Sequence, residues 1–508
     1  MSTSNTKEDD HHHRRRVAHV KTQMASRGTA KIAMSAQGRV GHCVRRNSWK
    51  NNCWLIDVSA LTQMLSIDTN SRSLSCVVEP GITFERLCQE TLKYNLLPLV
   101  IPEFKNITVG GAIQGIGVES SSFKHGLFED SVLSVDVVNG QGDVLHATAI
   151  ESADLFYGMF GSYGSMGVMV CCSIQLMKAA PVVQVSYRSI FAKDITKEMG
   201  SKSWWTLDDG HPQNTNTTTH SFRRRNRNRN RNSSEAFDFC EALVYSKTHA
   251  VVVTARFEDS QTAPNVASCW MHDPSHWRFW WGRWFYQHAQ MHSNPNNHTN
   301  QEWTEAVPTI DYLFRHDRGI FWCAQVRGVG TSLCERVLHG WFWSSSNAYK
   351  AEHQSNVNND FHRIVQDIAI PVSKRRVERF LTMVDSTLGV YPLWLCPIRN
   401  LCLSSKKIFS LPVKGEVEEW YVNVGILVHP LLGMGVLFIY PTLQHTVHSK
   451  ILHDVYVEER VYILLPTTRK TNFRRSTMLL LPIQYVKNIM LLNVSMCLPN
   501  ALKKFVEM

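Results

Sequence analysis

The sequence predicts an α+β fold of two domains, and three observations carry this prediction. At 508 residues the chain is longer than one ordinary domain. Short apolar runs that end at turn residues, such as "NCWLIDVSAL" and "SLSCVVEPGI", predict strands. Apolar residues at helical spacing from Phe84 to Leu92 predict a helix between strands. Strands that surround a helix and a hairpin, without strict alternation, are typical of an α+β domain.

The elements follow in a definite order along the chain. Thr83 is predicted to cap the helix that begins at Phe84, and the turn from Asn139 to Gly142 is predicted to close a hairpin. The predicted organisation is a disordered tail over 1–30, a first domain over 31–180, a second domain over 181–430 with a low-complexity insert at 211–234, and a divergent C-terminal segment over 431–508.

Composition excludes several classes of protein. The net charge is +11, but two low-complexity arginine tracts, at 14–16 and 223–231, carry nine of these charges, so no nucleic-acid partner is predicted. The thirteen cysteines include no CxxC pair, which predicts reduced thiols and neither a disulfide framework nor a metal site. The apolar stretch 422–440 is interrupted by His429, Pro430 and three glycines, so a strand and a loop are predicted there instead of a membrane span.

Glycines concentrate in two segments of the first domain. The first is "TVGGAIQGIGVESSSFKHG", residues 108–126, and the second lies at 161–167. Glycine destabilises regular structure, so its repeated use between apolar residues indicates close approach of the backbone to another group. The order of glycines fits neither a Rossmann fingerprint nor a P-loop. The two clusters together predict a surface for one elongated ligand, and tight β-turns are the alternative.

The segments "PGITFERL", "ITVGGAIQGIGVESSSFKHGLFEDSV", "ADLFY" and "GSYGSMGVMV" resemble the flavin-binding domain of the vanillyl-alcohol-oxidase, or PCMH-type, superfamily. The resemblance implies a two-subdomain FAD-binding domain over 31–180, followed by an α+β substrate or cap domain. The residues that it implies as FAD contacts are Thr108, Val109, Gly110, Gly111, Ala112, Ile113, Gln114, Gly115, Ile116, Gly117, Val118, Glu119, Ser120, Gly161, Gly164, Gly167 and Val168.

A narrower resemblance extends over about residues 50–430. The glycine loop, "WRFWWGRWFYQHAQ", "DYLFRHDRGIFW", "HRIVQDIAIPV" and "VYPLWLCP" are similar to motifs of the delta(24)-sterol reductases of the Diminuto/seladin type. This resemblance implies FAD-dependent, NADPH-using reduction of the side-chain C24 double bond of a sterol in sterol biosynthesis. It also implies a location at the cytosolic face of the endoplasmic reticulum membrane. Phe314 and Asp317 depart from the family pattern, which has histidine and threonine there.

The resemblance directs attention to residues that could donate a proton. His316 in "FRHDR" is a candidate general acid, with an exposed charge cluster as the alternative. Tyr391 is a second candidate acid, with a core aromatic as the alternative. Glu119 contacts the flavin or orders its loop. The aromatic segment 277–286 forms a sterol slot, a bilayer-facing surface or a core.

Other readings stay open at this point. FAD is expected to bind without a covalent bond, although His42 in "QGRVGH" resembles the histidine to which related oxidases attach FAD. The alternative functions are a different flavin oxidase or dehydrogenase of the superfamily, acting on an alcohol or lactone, and an inactive homologue that acts as a binding protein. Both the sterol and the oligomeric state are left open.

Overall fold

The computed structural model describes residues 3–28, 30–36, 47–69, 74–203, 237–258, 273, 276–293, 302–323, 332–339, 343–354, 364–372, 375–387, 389–401, 420–428 and 462–464. The predicted low-complexity insert, His42 and most of the C-terminal segment 431–508 lie outside these residues. Helices and strands both occur in each half of the described chain, and the predicted α+β class is confirmed.

The helices are α1 (Thr3–Ala25), α2 (Phe84–Leu92), α3 (Val109–Gln114), α4 (Ser122–His125), α5 (Ala153–Met159), α6 (Ile195–Ser203), α7 (Phe285–Met291), α8 (Thr309–Leu313), α9 (Leu333–His339), α10 (Ser345–Gln354) and α11 (Arg376–Thr387). The strands are β1 (Ile32–Ser35), β2 (Trp54–Asp57), β3 (Met64–Asp68), β4 (Ser75–Val78), β5 (Leu96–Pro98), β6 (Val132–Val138), β7 (Val144–Thr148), β8 (Val168–Lys178), β9 (Val182–Ile190), β10 (Phe239–Val244), β11 (Ala250–Glu258), β12 (Glu302–Pro308), β13 (Ile364–Pro371), β14 (Leu393–Arg399), β15 (Trp420–Val428) and β16 (Tyr462–Leu464).

A six-stranded sheet forms the first domain. Its order is β3-β4-β8-β6-β7, with β5 paired to β8, and these pairings are antiparallel. The predicted hairpin is confirmed, because β6 and β7 pair on either side of the turn at Asn139–Gly142. The predicted cap is confirmed too: the Thr83 hydroxyl accepts a hydrogen bond from the Arg86 backbone N–H at 3.3 Å, at the start of α2. The short parallel pair β1–β2 lies outside this sheet.

The prediction of a disordered tail over 1–30 is wrong. The helix α1 covers most of that segment and buries Val20 and Met24 against Ile56 and Leu61. Its polar face is also bonded, because His13 Nδ1 and Arg16 Nε each lie 2.7 Å from Glu79 Oε1. A few apolar side chains at helical spacing are therefore enough to dock a mostly polar helix.

The second domain is centred on an eight-stranded sheet in the order β12-β9-β11-β10-β14-β15-β13-β16. Alternate residues of its strands divide between two cores, as the period of two in a strand requires. One face packs on α6 and α11 through residues such as Ala242, Leu395 and Val424. The opposite face carries Glu241, Trp394 and Asn423 and turns towards the first domain.

The first domain reaches into a gap in this second sheet. The ladder between β10 and β14 has three residue pairs, 242–244 with 393–395. Beyond them the backbone N–H of Cys240 donates to Ser120 O at 2.8 Å, and α4 packs against β14. Phe123 of α4 is buried in the core on the far side of the sheet, with Ile195 and Phe380. The two domains are therefore interlocked through the segment that follows the first glycine cluster.

The first sheet ends with β8 at Lys178, and the second begins with β9 at Val182. The part of 422–440 that the structure describes, 422–428, lies in β15. None of the helices in the described ranges combines the length and the apolar composition that a membrane-spanning helix needs.

Candidate functional site

The structure brings the two predicted glycine clusters together. The backbone N–H of Gly161 donates to Ile113 O at 3.2 Å, and that of Tyr163 donates to Gln114 O at 2.9 Å. The first cluster is ordered from its start, because the Thr108 hydroxyl accepts from Gly111 N at 3.1 Å and caps α3. The clusters thus form one continuous surface, which we call the glycine junction (residues 108–117 and 161–167).

The glycines of the junction serve two different purposes. At Gly110 and Gly117 an added Cβ would lie 2.6 Å from Pro80 Cβ and 2.7 Å from Phe128 Cβ, so these positions admit close packing of the protein on itself. Gly164 and Gly167 have φ values of +79° and +140°, where side chains are strained. The close approach of the backbone that the sequence indicates is therefore, at some of these glycines, an approach to other residues of the protein itself.

The rim of the junction fits an elongated polar cofactor such as FAD. Gly111, Tyr163 and Ser165 are exposed along it, while Gln114 and Gly115 are half-buried. Beneath the rim, the buried Ser162 hydroxyl has no hydrogen-bond partner among the described residues. Phosphate and flavin oxygens accept hydrogen bonds. A buried hydroxyl without a partner, beside accessible glycine N–H groups, can supply the donors that they need.

Several residues predicted as FAD contacts direct their side chains into protein cores. Val109, Ala112, Ile113 and Val168 are buried among apolar residues of the first domain. Their part at the junction is limited to the backbone. Two other predicted contacts face the second domain: Ile116 and Val118 pack against a cluster that contains Ala369, Ile398 and Tyr421.

Glu119 leaves the junction and enters a buried network that spans both domains. Its two carboxylate oxygens lie 3.1 and 3.2 Å from Arg315 Nη2, and Arg315 Nε donates to Glu241 Oε1 at 2.8 Å. Arg315 Nη2 also donates to the hydroxyl of Ser120 at 3.3 Å. Burial alone would raise the pKa of Glu241, but Arg315 and His316 hold it well below its usual range. Glu119 therefore orders the junction by an ion pair to the other domain.

His316 completes this network. Its Nε2 lies 3.0 Å from Glu241 Oε2, which also accepts from Trp394 Nε1 at 2.7 Å. The ring stacks on Phe321 with centroids 4.2 Å apart, and the buried Nδ1 has no partner among the described residues. Burial lowers the pKa of His316, although Glu241 opposes the shift. The predicted alternative of an exposed charge cluster is wrong, because Arg315, His316 and Asp317 are all buried.

Tyr391, the second predicted acid, makes its described polar contact elsewhere. Its hydroxyl donates to Asp385 Oδ1 at 2.9 Å, and Asp385 also pairs with Lys247 at 3.2 Å. Burial and Asp385 raise the pKa of this phenol. The side chain lies at the edge of the core between the second sheet and α11, and its described contacts do not include the glycine junction.

Two acidic residues close to the network were missed at the sequence level. Burial raises the pKa of Glu103 to about 8, and the nearby Glu119 and Asp367 carboxylates act in the same direction. Burial also raises the pKa of Asp367, which accepts a hydrogen bond from Asn423 Nδ2 at 2.9 Å. A Cβ at Gly425 would lie 3.2 Å from Asp367 Oδ1 and 3.3 Å from the Trp394 ring, so glycine leaves room for both. Both residues therefore hold a proton more tightly than ordinary carboxyl groups.

A second buried carboxylate, Glu305, lies on the same face of the second sheet. It accepts hydrogen bonds from Tyr187, His276, Trp277 and His288 at 2.7, 2.6, 3.2 and 3.2 Å. Burial alone would raise its pKa, but His276 and His288 hold the pKa well below the usual range. This cluster fixes part of the aromatic segment 277–286, of which Trp277, Trp284, Phe285 and Tyr286 are buried and Trp280 is exposed.

Both carboxylate–histidine groups bring metal-ligand atoms within 4.8 Å of one another. In the first, Arg315 donates to Glu119 and Glu241 and already supplies the cation between them. In the second, His276 Nδ1 accepts from the backbone N–H of Arg278, so the ring proton lies on Nε2 and points at Glu305. A metal-binding Nε2 must be unprotonated, so neither arrangement suits a metal ion.

Comparisons with known proteins agree with this architecture. A family model described as an FAD binding domain matches residues 16–148, beginning within α1. BBE-like #28 from Arabidopsis thaliana has a similar structure, with a TM-score of 0.52 at 13% identity over 90% of this chain and 83% of its own. The predicted two-domain PCMH-type fold is thereby confirmed.

The resemblance to delta(24)-sterol reductases is also confirmed. The chain is 28% identical over 366 residues to the Delta(24)-sterol reductase of Pisum sativum, which covers 71% of this chain and 57% of that protein. It is 26% identical over 374 residues to the Homo sapiens Delta(24)-sterol reductase, which covers 73% of this chain and 63% of that protein. The chain thus spans about three-fifths of the length of these relatives.

Proposed function

We propose that this chain is an FAD-dependent reductase that saturates the side-chain C24 double bond of a sterol, with NADPH as the reductant. The similarity to the pea and human sterol reductases supports the substrate class, and the FAD binding model supports the cofactor. The structural observation that carries the proposal is the glycine junction, whose exit at Glu119 is tied by Arg315 to Glu241 and His316.

FAD, when bound, supplies the hydride that an unpolarised carbon–carbon double bond needs. The backbone of residues 108–117 and 161–167 would hold this cofactor, and the Ser162 hydroxyl would donate to it. Arg315 would keep the junction at a fixed distance from the second sheet, because it is bonded to both domains. Fixed positioning of the reactants is itself a large part of catalysis.

The other carbon of the double bond must receive a proton, which the chain has to supply. His316 is neutral near pH 7 in this setting, since burial lowers its pKa. Glu103 and Asp367 hold protons more readily, because burial raises both pKa values. We therefore propose Glu103 and Asp367 as the proton reservoir and His316 with Glu241 as positioning residues. The alternative in which His316 is itself the general acid stays a prediction, and the experiment described next tests it as well.

The test is anaerobic. The purified chain is titrated with NADPH, and a delta(24)-sterol is then added while the visible flavin absorbance is followed. We expect NADPH to bleach the flavin band and the sterol to restore it. A flavin band that ignores NADPH but bleaches with an alcohol or lactone would replace this proposal with the oxidase reading. Protein that takes up no flavin would indicate an inactive homologue.

Variants separate the proton step from the flavin step. E103Q and D367N are expected to slow reoxidation by the sterol about 100-fold while reduction by NADPH is unchanged, because loss of a general acid costs this order. H316N is expected to change both steps together, since it disturbs the network at Glu241. Y391F serves as the matched control and should resemble the wild-type chain. Slow sterol-dependent reoxidation in Y391F alone would move the acid to Tyr391.

We further propose that the enzyme acts at the cytosolic face of the endoplasmic reticulum membrane. The similarity to sterol reductases supports this location. A sterol substrate is itself confined to membranes by its apolar surface. Fractionation of cells that express the full chain, with organelle markers, would test the location independently of activity.

A further inference from the structure

Asn423 is a fully buried amide in the middle of the second sheet, and the chemistry proposed above gives it no role. It lies in β15 between Cys396 of β14 and Ala369 of β13, on the face that turns towards the first domain. Its Nδ2 donates to Asp367 Oδ1 at 2.9 Å, whereas its Oδ1 has no partner among the described residues. A buried amide that is satisfied on one side only costs stability, so packing alone does not explain it.

The register of the sheet brings the carboxyl of Asp367 beside this amide. Asp367 pairs with Gly425 of β15, and Gly425 pairs with Trp394 of β14, so these three residues form the row next to that of Asn423. A Cβ on Gly425 would lie 3.2 Å from Asp367 Oδ1 and 3.3 Å from the Trp394 ring. The glycine therefore leaves the space in which the carboxyl and the amide meet.

The amide and the carboxyl differ in exposure. Asn423 is 0% exposed, whereas Asp367 is half-buried, as is Glu103 of the first domain. Asp367 is close enough to Glu103 to act on its pKa, and Glu119 and Arg315 of the buried network act on the same group. A substrate between the domains can therefore meet the carboxyl of Asp367 but not the amide. Any effect of Asn423 on the reaction has to act through Asp367.

The hydrogen bond also decides which oxygen of Asp367 carries the proton. A neutral carboxyl has one carbonyl oxygen and one hydroxyl, and Oδ1 accepts the N–H of Asn423, so the proton belongs on Oδ2. The charge of the donor matters as well. Glu241 is held by Arg315, and its pKa lies well below the usual range. Asn423 brings no charge, and burial raises the pKa of Asp367.

We propose that Asn423 is a positioning residue for the proton step: its amide holds the proton of Asp367 on Oδ2 and stabilises the carboxylate that remains. The Oδ2–H bond breaks, the proton joins one carbon of the double bond, and the electron pair stays on the carboxylate. The other carbon receives the hydride that FAD supplies. The bond from Nδ2 to Oδ1 becomes charge-assisted, and so stronger, as this negative charge develops. The proposal rests on the proposed sterol reductase function for its substrate.

Infrared spectra of the purified chain test the arrangement without any sterol. The carbonyl stretch of protonated carboxyl groups is compared between variants and wild type at about pH 6, where ordinary carboxyl groups are ionised. We expect the wild-type chain to show a band that D367N lacks. In N423L this band should move to higher frequency, because the carbonyl oxygen has lost its hydrogen bond. T254V is the matched control, since Thr254 is a buried polar residue of the same sheet, and it should leave the band unchanged.

Kinetics test the role in the reaction. N423L is expected to slow the reoxidation of flavin by the sterol about 10- to 100-fold, the range of one hydrogen bond to a charged group. The sterol concentration that gives half the maximal rate should not change, and neither should reduction by NADPH. N423L added to D367N should have no further effect, because the amide acts through that carboxyl. A purely structural role would change all of these quantities together.

N423D keeps the shape of the side chain, so it tests the proposal even if N423L does not fold. The pair then has two carboxyl groups, and the form that delivers a proton has to hold two protons. The first proton leaves such a pair at lower pH than the second. As pH rises, the sterol-dependent step should therefore be lost at lower pH in N423D than in the wild-type chain.

Four outcomes would overturn the proposal. D367N could lack no band, which would show that Asp367 is ionised. The band could keep its frequency in N423L, or N423D could keep the wild-type pH profile. N423L could also speed the sterol-dependent step, which would show that the amide accepts the proton and withholds it. A wild-type flavin that no sterol reoxidises would instead overturn the proposed function, while the infrared bands would still show whether Asn423 holds the proton of Asp367.

Discussion

Glu241 and Glu305 lie on the same face of the same sheet, yet their partners differ in kind. Glu305 accepts from donors of its own domain: a phenol, an indole and two imidazoles. Glu241 accepts from Arg315, which is bonded in turn to Glu119 of the other domain. A buried carboxylate whose donors all belong to its own domain stabilises a local core. One that shares an arginine with a carboxylate of the other domain couples the positions of the two domains.

The largest effect is expected when the shared cation is removed. R315M would leave Glu119 and Glu241 buried without their common partner, and the free energy of unfolding should fall by about 3–5 kcal/mol. Bound flavin should be lost in parallel, because Glu119 adjoins the glycine junction. Urea unfolding and the visible spectrum of the purified chain measure the two effects.

The matched control is R14M, since Arg14 pairs with Asp10 on an exposed helix face. Its cost should be within about 0.5 kcal/mol. If R315M lowers the free energy of unfolding no more than R14M does, the inter-domain network does not hold the two domains together.

The next effect belongs to Glu305. E305Q would lose charge-assisted acceptance but keep the shape of the side chain, so the free energy of unfolding should fall by about 1–3 kcal/mol. Flavin content should remain at the wild-type level. Loss of flavin in E305Q would show that the two carboxylates are coupled, and the distinction between local and inter-domain roles would fail.

The two regions should also respond to pH with opposite signs. Near the network, the pKa of Glu103 is raised to about 8, so the folded state binds more protons than the unfolded state between about pH 4.5 and 8. Stability from this group is therefore lost as pH rises through that window. E103Q should remove this pH-dependent loss, which amounts to about 1–2 kcal/mol in the free energy of unfolding. The loss is this small because the Glu103 side chain is only half-buried. An unchanged slope of stability against pH in E103Q would contradict this.

Near Glu305 the smallest effect is expected, from His292. Burial lowers the pKa of this ring to about 4, so between pH 6.5 and 4 the unfolded state binds more protons, and stability falls as pH falls. H292F keeps the stacking on Trp303, whose ring centroid lies 3.5 Å away. It should reduce the fall in the free energy of unfolding between pH 6.5 and 4 by about 1 kcal/mol. Chemical unfolding at several pH values would detect it, and a steeper loss in H292F would refute the assignment.

Local signals predicted much of the fold. The hairpin around Asn139–Gly142 and the cap at Thr83 depend on neighbouring residues, and both are present. The disordered tail was predicted from polar composition, and α1 was missed because its docking depends on a few apolar side chains and on Glu79, 63 residues from Arg16.

The candidate site divides in the same way. Glycine patterning predicted that the two clusters share one surface, since close backbone approach leaves a mark in sequence. The buried network of Glu119, Glu241 and Arg315 was not predicted from the sequence, because Arg315 lies 74 residues from Glu241 and 196 from Glu119. A glutamate within an apolar strand was the one signal available. The acid role of Tyr391 stays a prediction: its motif resembles the family, and in the structure its hydroxyl donates to Asp385.

The insertion of Phe123 between one end of β10 and one end of β14 has a consequence for folding during synthesis on the ribosome. Phe123 precedes the strands that it separates, and β14 is synthesised more than 250 residues later. Domains made first generally fold first. The second sheet would then form around the Phe123 side chain, which the folded first domain already exposes. Expression of residues from 181 onward alone should yield a chain that is slow to become compact, until the first domain is supplied in trans.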